Sequence, residues 1–274
     1  MAFARNVPIF AVNLAKKGLP RPLATAAMPY VNRLLGFEQF NSVYSQLPQC
    51  EPEEFSRIFL DALHVSVELD GQPQSTIPAE GPLIVIANHP LGLLDGMVLD
   101  ALFSSVRPDV TVMAHSLMSV IPEYRHRWLF VGRPRSRSKR KLTMRSLRQS
   151  LHRLASGGVL VQFPAGRVAR FQWHRWSVAD RPWSSHIAAV ARQTGASVLP
   201  VYLHGPGSRV SQLVGIVLPL LQNVRAVGAV SEYRDRTLRA TIGRLIQPAE
   251  LSGFATDDEV TVFLRHETEK LGRS

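Results

Sequence analysis

The chain has 274 residues, 45% of them hydrophobic, and its mean hydropathy is close to zero. These values exclude bulk disorder and fit one large domain, alone or with an accessory element. The single cysteine, Cys50, excludes an intramolecular disulfide framework and a cysteine-ligated zinc site. The formal net charge of +11 implies an anionic partner, which can be a phospholipid surface, a nucleic acid or a phosphorylated small molecule.

Residues 1–64 are predicted to form an N-terminal helical segment. Short amphipathic helices are expected near residues 10–17 and 29–40, and a third helix over residues 53–64. The first two carry lysine and arginine beside their apolar faces, so they can lie in the headgroup region of an anionic bilayer. Packing against the domain that follows is the alternative. No apolar run reaches the roughly 18 residues of a spanning helix, and no secretory signal pattern occurs.

From residue 65 to residue 274, strand and helix patterns alternate. Strands are predicted over residues 65–69, 83–87, 110–114, 159–163, 197–203 and 238–242, and helices over 96–104, 143–156, 186–194 and 257–271. Short apolar strands separated by helices predict an α/β domain. We therefore expect a mixed, mostly parallel central sheet flanked by helices.

A strongly basic stretch interrupts this alternation. No acidic residue occurs between Glu123 and Asp180. The basic residues that crowd the first part of this interval are Arg133, Arg135, Arg137, Lys139, Arg140, Lys141, Arg145 and Arg148. We predict a mobile loop over residues 133–141. The run is either a solvated face or a surface that attracts an anion.

The segment Asn-His-Pro-Leu-Gly-Leu-Leu-Asp-Gly, residues 88–96, follows the apolar strand over residues 83–87. A glycine-punctuated turn after a strand presents His89, and Asp95 stands six positions further on. A carboxylate can hold the tautomer of an imidazole that acts as general base. The alternative is a structural histidine that caps the turn.

A second turn, Phe-Pro-Ala-Gly-Arg over residues 163–167, follows the strand that starts at Val159. Ligands gather at the carboxyl ends of parallel strands, so the two turns are expected to lie close together. Arg167 and Arg170 could clamp a phosphate or a carboxylate there. The histidines show no metal-ligand spacing and no Gly-x-Ser-x-Gly elbow occurs, so neither a metal site nor a serine hydrolase is expected.

The two turns, in this order and about 70 residues apart, resemble the glycerolipid acyltransferase superfamily, which includes the lysophosphatidate and glycerol-3-phosphate acyltransferases. Five residues rather than four separate the motif histidine from the aspartate, as in a bacterial hemolysin-like branch linked to phospholipid and aminolipid synthesis. The similarity extends from residues 34–37 to residues 198–202. Ala165 stands where the parent motif has glutamate, which leaves the identity of the acceptor open.

The resemblance implies an acyltransferase that moves a fatty acyl group to the hydroxyl of a lysophospholipid or lyso-aminolipid. His89 would be the general base and Asp95 its orienting partner. The residues implied in substrate binding are Asn88, Gly92, Gly96, Phe163, Pro164, Gly166, Arg167 and Arg170.

The same resemblance implies acyl-CoA or acyl carrier protein as co-substrate, with no bound cofactor. We expect a cytoplasmic, peripheral protein on the inner face of an anionic membrane, where the basic run can dock headgroups or the acidic carrier protein. The alternative function is a non-catalytic protein that binds anionic lipid or nucleic acid. Nucleic acid is not expected as a partner, because the chain has no recognised nucleic-acid motif.

Overall fold

The computed structural model describes residues 8–11, 20–132, 136–172, 177–205 and 222–273. The strands are β1 (Ser66–Gly71), β2 (Leu83–Ala87), β3 (Val110–His115), β4 (Leu129–Val131), β5 (Val159–Gln162), β6 (Arg170–Gln172), β7 (Ser177–Ala179), β8 (Ser197–Leu203) and β9 (Thr237–Ile242). The helices are α1 (Arg21–Leu34), α2 (Phe37–Gln46), α3 (Phe55–Ala62), α4 (Leu93–Ser104), α5 (Arg137–Ala155), α6 (His186–Thr194), α7 (Gln222–Gly228), α8 (Pro248–Ser252) and α9 (Asp257–Leu271).

Seven strands form one sheet in the order β1-β9-β8-β2-β5-β3-β4. Every neighbouring pair is parallel except β8 and β9, which are antiparallel. Strands β6 and β7 make a separate antiparallel pair. The predicted fold class, a mixed and mostly parallel sheet flanked by helices, is confirmed. Because β8, β2, β5 and β3 are parallel, their carboxyl ends meet at one edge.

Strand β2 lies at the centre of the sheet, and all five of its residues are buried. Its alternate side chains enter two hydrophobic clusters, one on each face of the sheet, because successive strand residues point in opposite directions. Leu83 and Val85 join the cluster formed with α2, α3 and α4. Ile84 and Ile86 join the cluster formed with α6 and α9. A parallel sheet covered on both faces requires this continuous apolar run.

The N-terminal helices differ in how they are buried. Phe40 of α2 and Phe59 of α3 are 1% exposed and belong to the same cluster as the sheet. Helix α1 instead leaves Leu23, Tyr30 and Leu34 exposed. For the helix predicted near residues 29–40, the alternative of packing on the domain therefore holds for the part that forms α2, and α3 packs there as well. Most of the helix predicted near residues 10–17 lies outside the described residues.

The single helix predicted over residues 29–40 is wrong, because the chain turns at Gly36 between α1 and α2. Gly36 has φ of +73°, and a Cβ there would lie 2.5 Å from the carbonyl oxygen of Gly228. At Gly228 a Cβ would lie 2.0 Å from the carbonyl oxygen of Leu35. Glycine at both positions therefore lets the α1–α2 turn contact the end of α7 directly.

Helix α5 begins at Arg137, so the mobile loop predicted over residues 133–141 is wrong for residues 137–141. The Ser136 hydroxyl caps the helix by accepting a hydrogen bond from the Lys139 amide at 3.3 Å. Residues 133–135 lie outside the described part of the chain. None of the helices described is long and apolar enough to cross a membrane.

Candidate active site

The turn between β2 and α4 holds Asn88 and His89. The Asn88 amide bridges two parallel strand ends, because it donates to the Leu203 carbonyl oxygen at 2.9 Å and accepts from the Leu203 amide at 2.7 Å. This pairing fixes the end of β2 against the end of β8. Both polar atoms of the Asn88 side chain therefore bond to the sheet backbone, and His89 is the residue that follows this fixed strand end.

His89 and Asp95 are brought together at the start of α4. His89 Nδ1 lies 2.7 Å from Asp95 Oδ2, and the Asp95 side chain is fully buried while that of His89 is 18% exposed. The same oxygen accepts hydrogen bonds from the amides of Leu91 at 2.8 Å and Gly92 at 2.9 Å. Three donors on one carboxylate oxygen fix the direction of the imidazole. They also leave Nε2 as the ring nitrogen available to a substrate.

The first turn of α4 explains the spacing of this pair. The predicted helix start at Gly96 is wrong, because α4 begins at Leu93 after Gly92, whose φ is +76°. Asp95 is therefore the third residue of the helix, where a carboxylate can accept from the amides that precede the helix and is favoured by the helix dipole. A Cβ on Gly92 would lie 2.7 Å from Ala226, so the turn requires glycine.

Burial raises the pKa of the Asp95 carboxyl above its ordinary value. The hydrogen bond and charge of His89 and the amides of Leu91 and Gly92 act in the opposite direction. Asp95 Oδ1 is buried without a hydrogen-bond partner among the described residues. The polar contacts of the carboxylate are thus concentrated on the oxygen that faces His89.

The backbone of His89 is held by a distant part of the chain. Its amide donates to Asp180 Oδ1 at 3.1 Å, and its carbonyl oxygen accepts from the Ala169 amide at 2.7 Å. Asp180 Oδ2 in turn accepts from the Trp183 indole at 3.0 Å. Burial raises the pKa of the Asp180 carboxyl, whereas the hydrogen bonds from Trp183 and His89 lower it. The Asp180–Trp183 pair therefore fixes the turn that carries the imidazole.

The second predicted turn lies beside the first. The Phe163 ring stacks on the His89 imidazole with centroids 4.3 Å apart. Gly166 has φ of +62°, and its amide donates to the Phe163 carbonyl oxygen at 2.9 Å, which closes the turn after Pro164. Arg167 is partly buried here. The two sequence motifs are thus in direct contact.

An apolar cavity of about 260 Å³ opens beside His89. Its apolar lining comes from α4, β3 and α7 and from the segment before β4, and includes Leu93, Val112, Met118, Trp128 and Val227. Of the predicted substrate-binding residues, the lining includes Gly92, Gly96, Phe163, Pro164, Gly166 and Arg167. The structure does not bring Arg170 to this wall, since it starts β6 and is exposed. A cavity of 150 Å³ already holds benzene, so this one has room for part of an alkyl chain.

Sequence reasoning missed several residues of this site. Gln162, Ser184 and His186 also line the cavity. Gln162 Oε1 and His186 Nε2 are buried without a hydrogen-bond partner in the described structure, and burial lowers the pKa of His186. The position of Gln162 at the end of β5 was a usable signal, because strand ends carry ligand-binding residues. Nothing local marked His186, and Asp180 was noted only as part of the family resemblance over residues 180–183.

Comparison with known proteins assigns a family to the part of the chain that carries the two turns. A family model described as Acyltransferase matches residues 69–204, which include both turns. Residues 69–204 belong to this acyltransferase family, and the protein is an acyltransferase enzyme. The resemblance predicted from the motifs is confirmed at the level of an acyltransferase family.

A solved structure shares the fold over nearly the whole chain. It is the crystal structure of PlsC from Thermotoga maritima, a 1-acyl-sn-glycerophosphate (LPA) acyltransferase. The TM-score is 0.54, and the match covers 95% of each chain at 18% sequence identity. At this identity the likeness shows the fold alone. A search of curated proteins found no match.

Proposed function

We propose that the enzyme transfers a fatty acyl group from acyl-CoA or acyl carrier protein to the hydroxyl of a lysophospholipid or lyso-aminolipid. The observation that carries this proposal is the His89–Asp95 pair at the wall of an apolar cavity that Arg167 also lines. A base, an apolar pocket and a cation are the three groups that an acidic lipid acceptor and an acyl thioester require.

In the proposed reaction, His89 Nε2 removes the proton from the acceptor hydroxyl while the oxygen attacks the thioester carbonyl. The carbon–sulfur bond breaks, an ester bond forms, and the imidazolium returns the proton to the departing thiolate. Asp95 keeps Nδ1 protonated and stabilises the imidazolium that exists between the two transfers. No covalent intermediate with the protein is needed.

The cavity lining has an apolar part and a charged part, and each suits a different part of the substrates. Its apolar walls suit the acyl chain, whose burial is favourable by roughly 0.8 kcal/mol for each methylene group. Arg167 suits the phosphate or carboxylate of the acceptor, because a guanidinium donates two parallel hydrogen bonds to either group. Gln162 and His186 are proposed to meet polar atoms near the reacting carbonyl, since both carry buried atoms that lack a hydrogen-bond partner among the described residues.

We further propose that the enzyme works as a peripheral protein on the cytoplasmic face of an anionic membrane. Exposed basic residues of α5 support this, among them Arg137, Arg140 and Arg145. Each basic residue near an anionic surface contributes about 1 kcal/mol. The same helix can contact the acidic acyl carrier protein.

The direct test is incubation of purified enzyme with labelled acyl-CoA or acyl carrier protein and a panel of lysophospholipids and lyso-aminolipids. The wild-type enzyme should form a diacyl product from at least one acceptor. His89→Ala should abolish transfer while vesicle binding remains, because the imidazole moves a proton and does not dock the protein. Full transfer by this variant, or tight nucleic-acid binding without any transfer by the wild type, would overturn the proposal.

A further inference from the structure

A second depression borders α7 at Arg225, whereas the cavity beside His89 borders the same helix at Ala226 and Val227. It is a polar cleft of about 590 Å³ between α2 and the segment over residues 225–234. Three arginines line it, Arg33, Arg225 and Arg234, and we call it the arginine cleft. It shares no lining residue with the cavity beside His89.

We propose that the arginine cleft binds the phosphate of a membrane phospholipid headgroup. Arg225 is the central observation, because it is only 5% exposed. Its Nη2 donates to Glu232, yet Nε and Nη1 are buried without a hydrogen-bond partner in the described part of the chain. A buried guanidinium with unmade hydrogen bonds is costly unless an acceptor completes its set.

The surroundings of Arg225 favour an anion with several oxygens. Nη1 lies beside Gly36, where an added Cβ would be 3.0 Å from it, and Gly36 also lines the cleft. Arg33 and Arg234 are exposed and line the same cleft, and Arg234 Nη1 also donates to the Ala62 carbonyl oxygen at 3.4 Å. Phosphate oxygens accept hydrogen bonds from a guanidinium in pairs.

Two glutamates in the wall define how a ligand would enter. Glu38 and Glu232 face three arginines, which leaves one positive charge in excess. The side chain of Glu232 is 31% exposed, so it can turn outward and release Arg225 Nη2 to a phosphate. Glu232 thus accepts the hydrogen bond from Arg225 Nη2 that a phosphate oxygen could accept instead. Removal of its charge should strengthen binding.

Helix α1 indicates that the phosphate belongs to a lipid. Leu23, Tyr30 and Leu34 are 61%, 77% and 50% exposed and are spaced at i, i+7 and i+11, which places them on one face of the helix. Arg33 is next to Leu34 in the last turn. An exposed apolar stripe flanked by arginine is suited to lie at the boundary of headgroups and acyl chains.

The test is binding of the full chain to vesicles of phosphatidylcholine with 30 mol% phosphatidylglycerol. Arg33→Ala/Arg234→Ala should lower the partition constant at least about tenfold. Arg57→Ala/Arg236→Ala is the matched control: it removes the same charge from exposed sites outside the cleft and should change binding about twofold. Glu232→Gln should bind more tightly than wild type, whereas a purely structural Arg225–Glu232 pair predicts no gain.

Inorganic phosphate at constant ionic strength distinguishes a soluble ligand from a lipid. Thermal stabilisation by phosphate that depends on Arg33 and Arg234, with unchanged vesicle binding, would overturn the lipid assignment. Equal losses in the cleft variant and its control would overturn the site itself. The proposal extends the proposed membrane association but not the acyl-transfer step. The cleft variant should therefore keep wild-type transfer to detergent-dispersed acceptor. Vesicle binding tests the cleft and acyl transfer tests the proposed function, so each proposal can fail without the other.

Discussion

The substitution Asp95→Asn separates the charge of the dyad from its geometry. All three hydrogen bonds to Asp95, from His89, Leu91 and Gly92, converge on Oδ2. An asparagine can place its amide oxygen in that position and keep all three donors satisfied, so the fold of the turn should survive. It has no charge with which to stabilise the imidazolium. We expect kcat to fall about 10²- to 10⁴-fold, which is roughly 3–5 kcal/mol of transition-state stabilisation.

Asp95→Ala provides the contrast for this prediction. It removes the acceptor of two backbone amides at the start of α4, and a donor left without a partner costs about 1–3 kcal/mol. We therefore expect a loss of roughly 2–6 kcal/mol of unfolding free energy for Asp95→Ala and a smaller loss of about 1–3 kcal/mol for Asp95→Asn, whose amide nitrogen takes the place of Oδ1, a buried atom without a hydrogen-bond partner among the described residues. Urea denaturation measures the stability, and acyl transfer under saturating donor measures kcat. Wild-type kcat in a folded Asp95→Asn enzyme would refute the electrostatic role of the carboxylate.

Three further predictions follow from the site. Arg167→Ala should raise the KM for the acceptor about tenfold or more with little change in kcat, since a hydrogen bond to a charged group is worth about 1.5–3 kcal/mol. Arg170→Ala, at an exposed position, is the matched control. Equal effects of the two substitutions would show that Arg167 does not bind the acceptor's anion. Asp180→Ala should lower kcat about 10- to 100-fold, because it releases the His89 amide. Asp180→Asn retains an acceptor for this amide and should lower kcat less. Steady-state kinetics that rank the two variants in reverse would contradict this positioning role. Burial lowers the pKa of His186, so the unfolded chain binds more protons near that pKa and stability should rise with pH across this range. Urea unfolding of His186→Gln should show a flatter pH dependence than wild type, and an unchanged slope would show that another group dominates.

The elements that carry strong local signals were predicted closely. The all-apolar strand β2 and the helix over residues 257–271, which Thr256 caps through the Glu259 amide, match their predicted bounds. Helix α6 and strand β8 match as well. Hydrophobic periodicity and capping are properties of neighbouring residues, so a single sequence contains them. The boundaries at Gly36 and Leu93, which depend on the positive φ of Gly36 and Gly92, were misplaced. The start of α5 at Arg137 was also misplaced, although Ser136 caps it locally.

What the sequence determined by itself is the pair of motifs that carries the chemistry. His89 and Asp95 lie within one turn and the helix it starts, so their spacing alone brings the imidazole and carboxylate together. Only the tertiary structure decided what surrounds them. Asp180 holds the His89 amide across 91 positions, and Arg225 meets Gly36 across an interface between distant helices. Such contacts arise from how strands are ordered and how helices pack on the sheet, and no local pattern of residues encodes that arrangement.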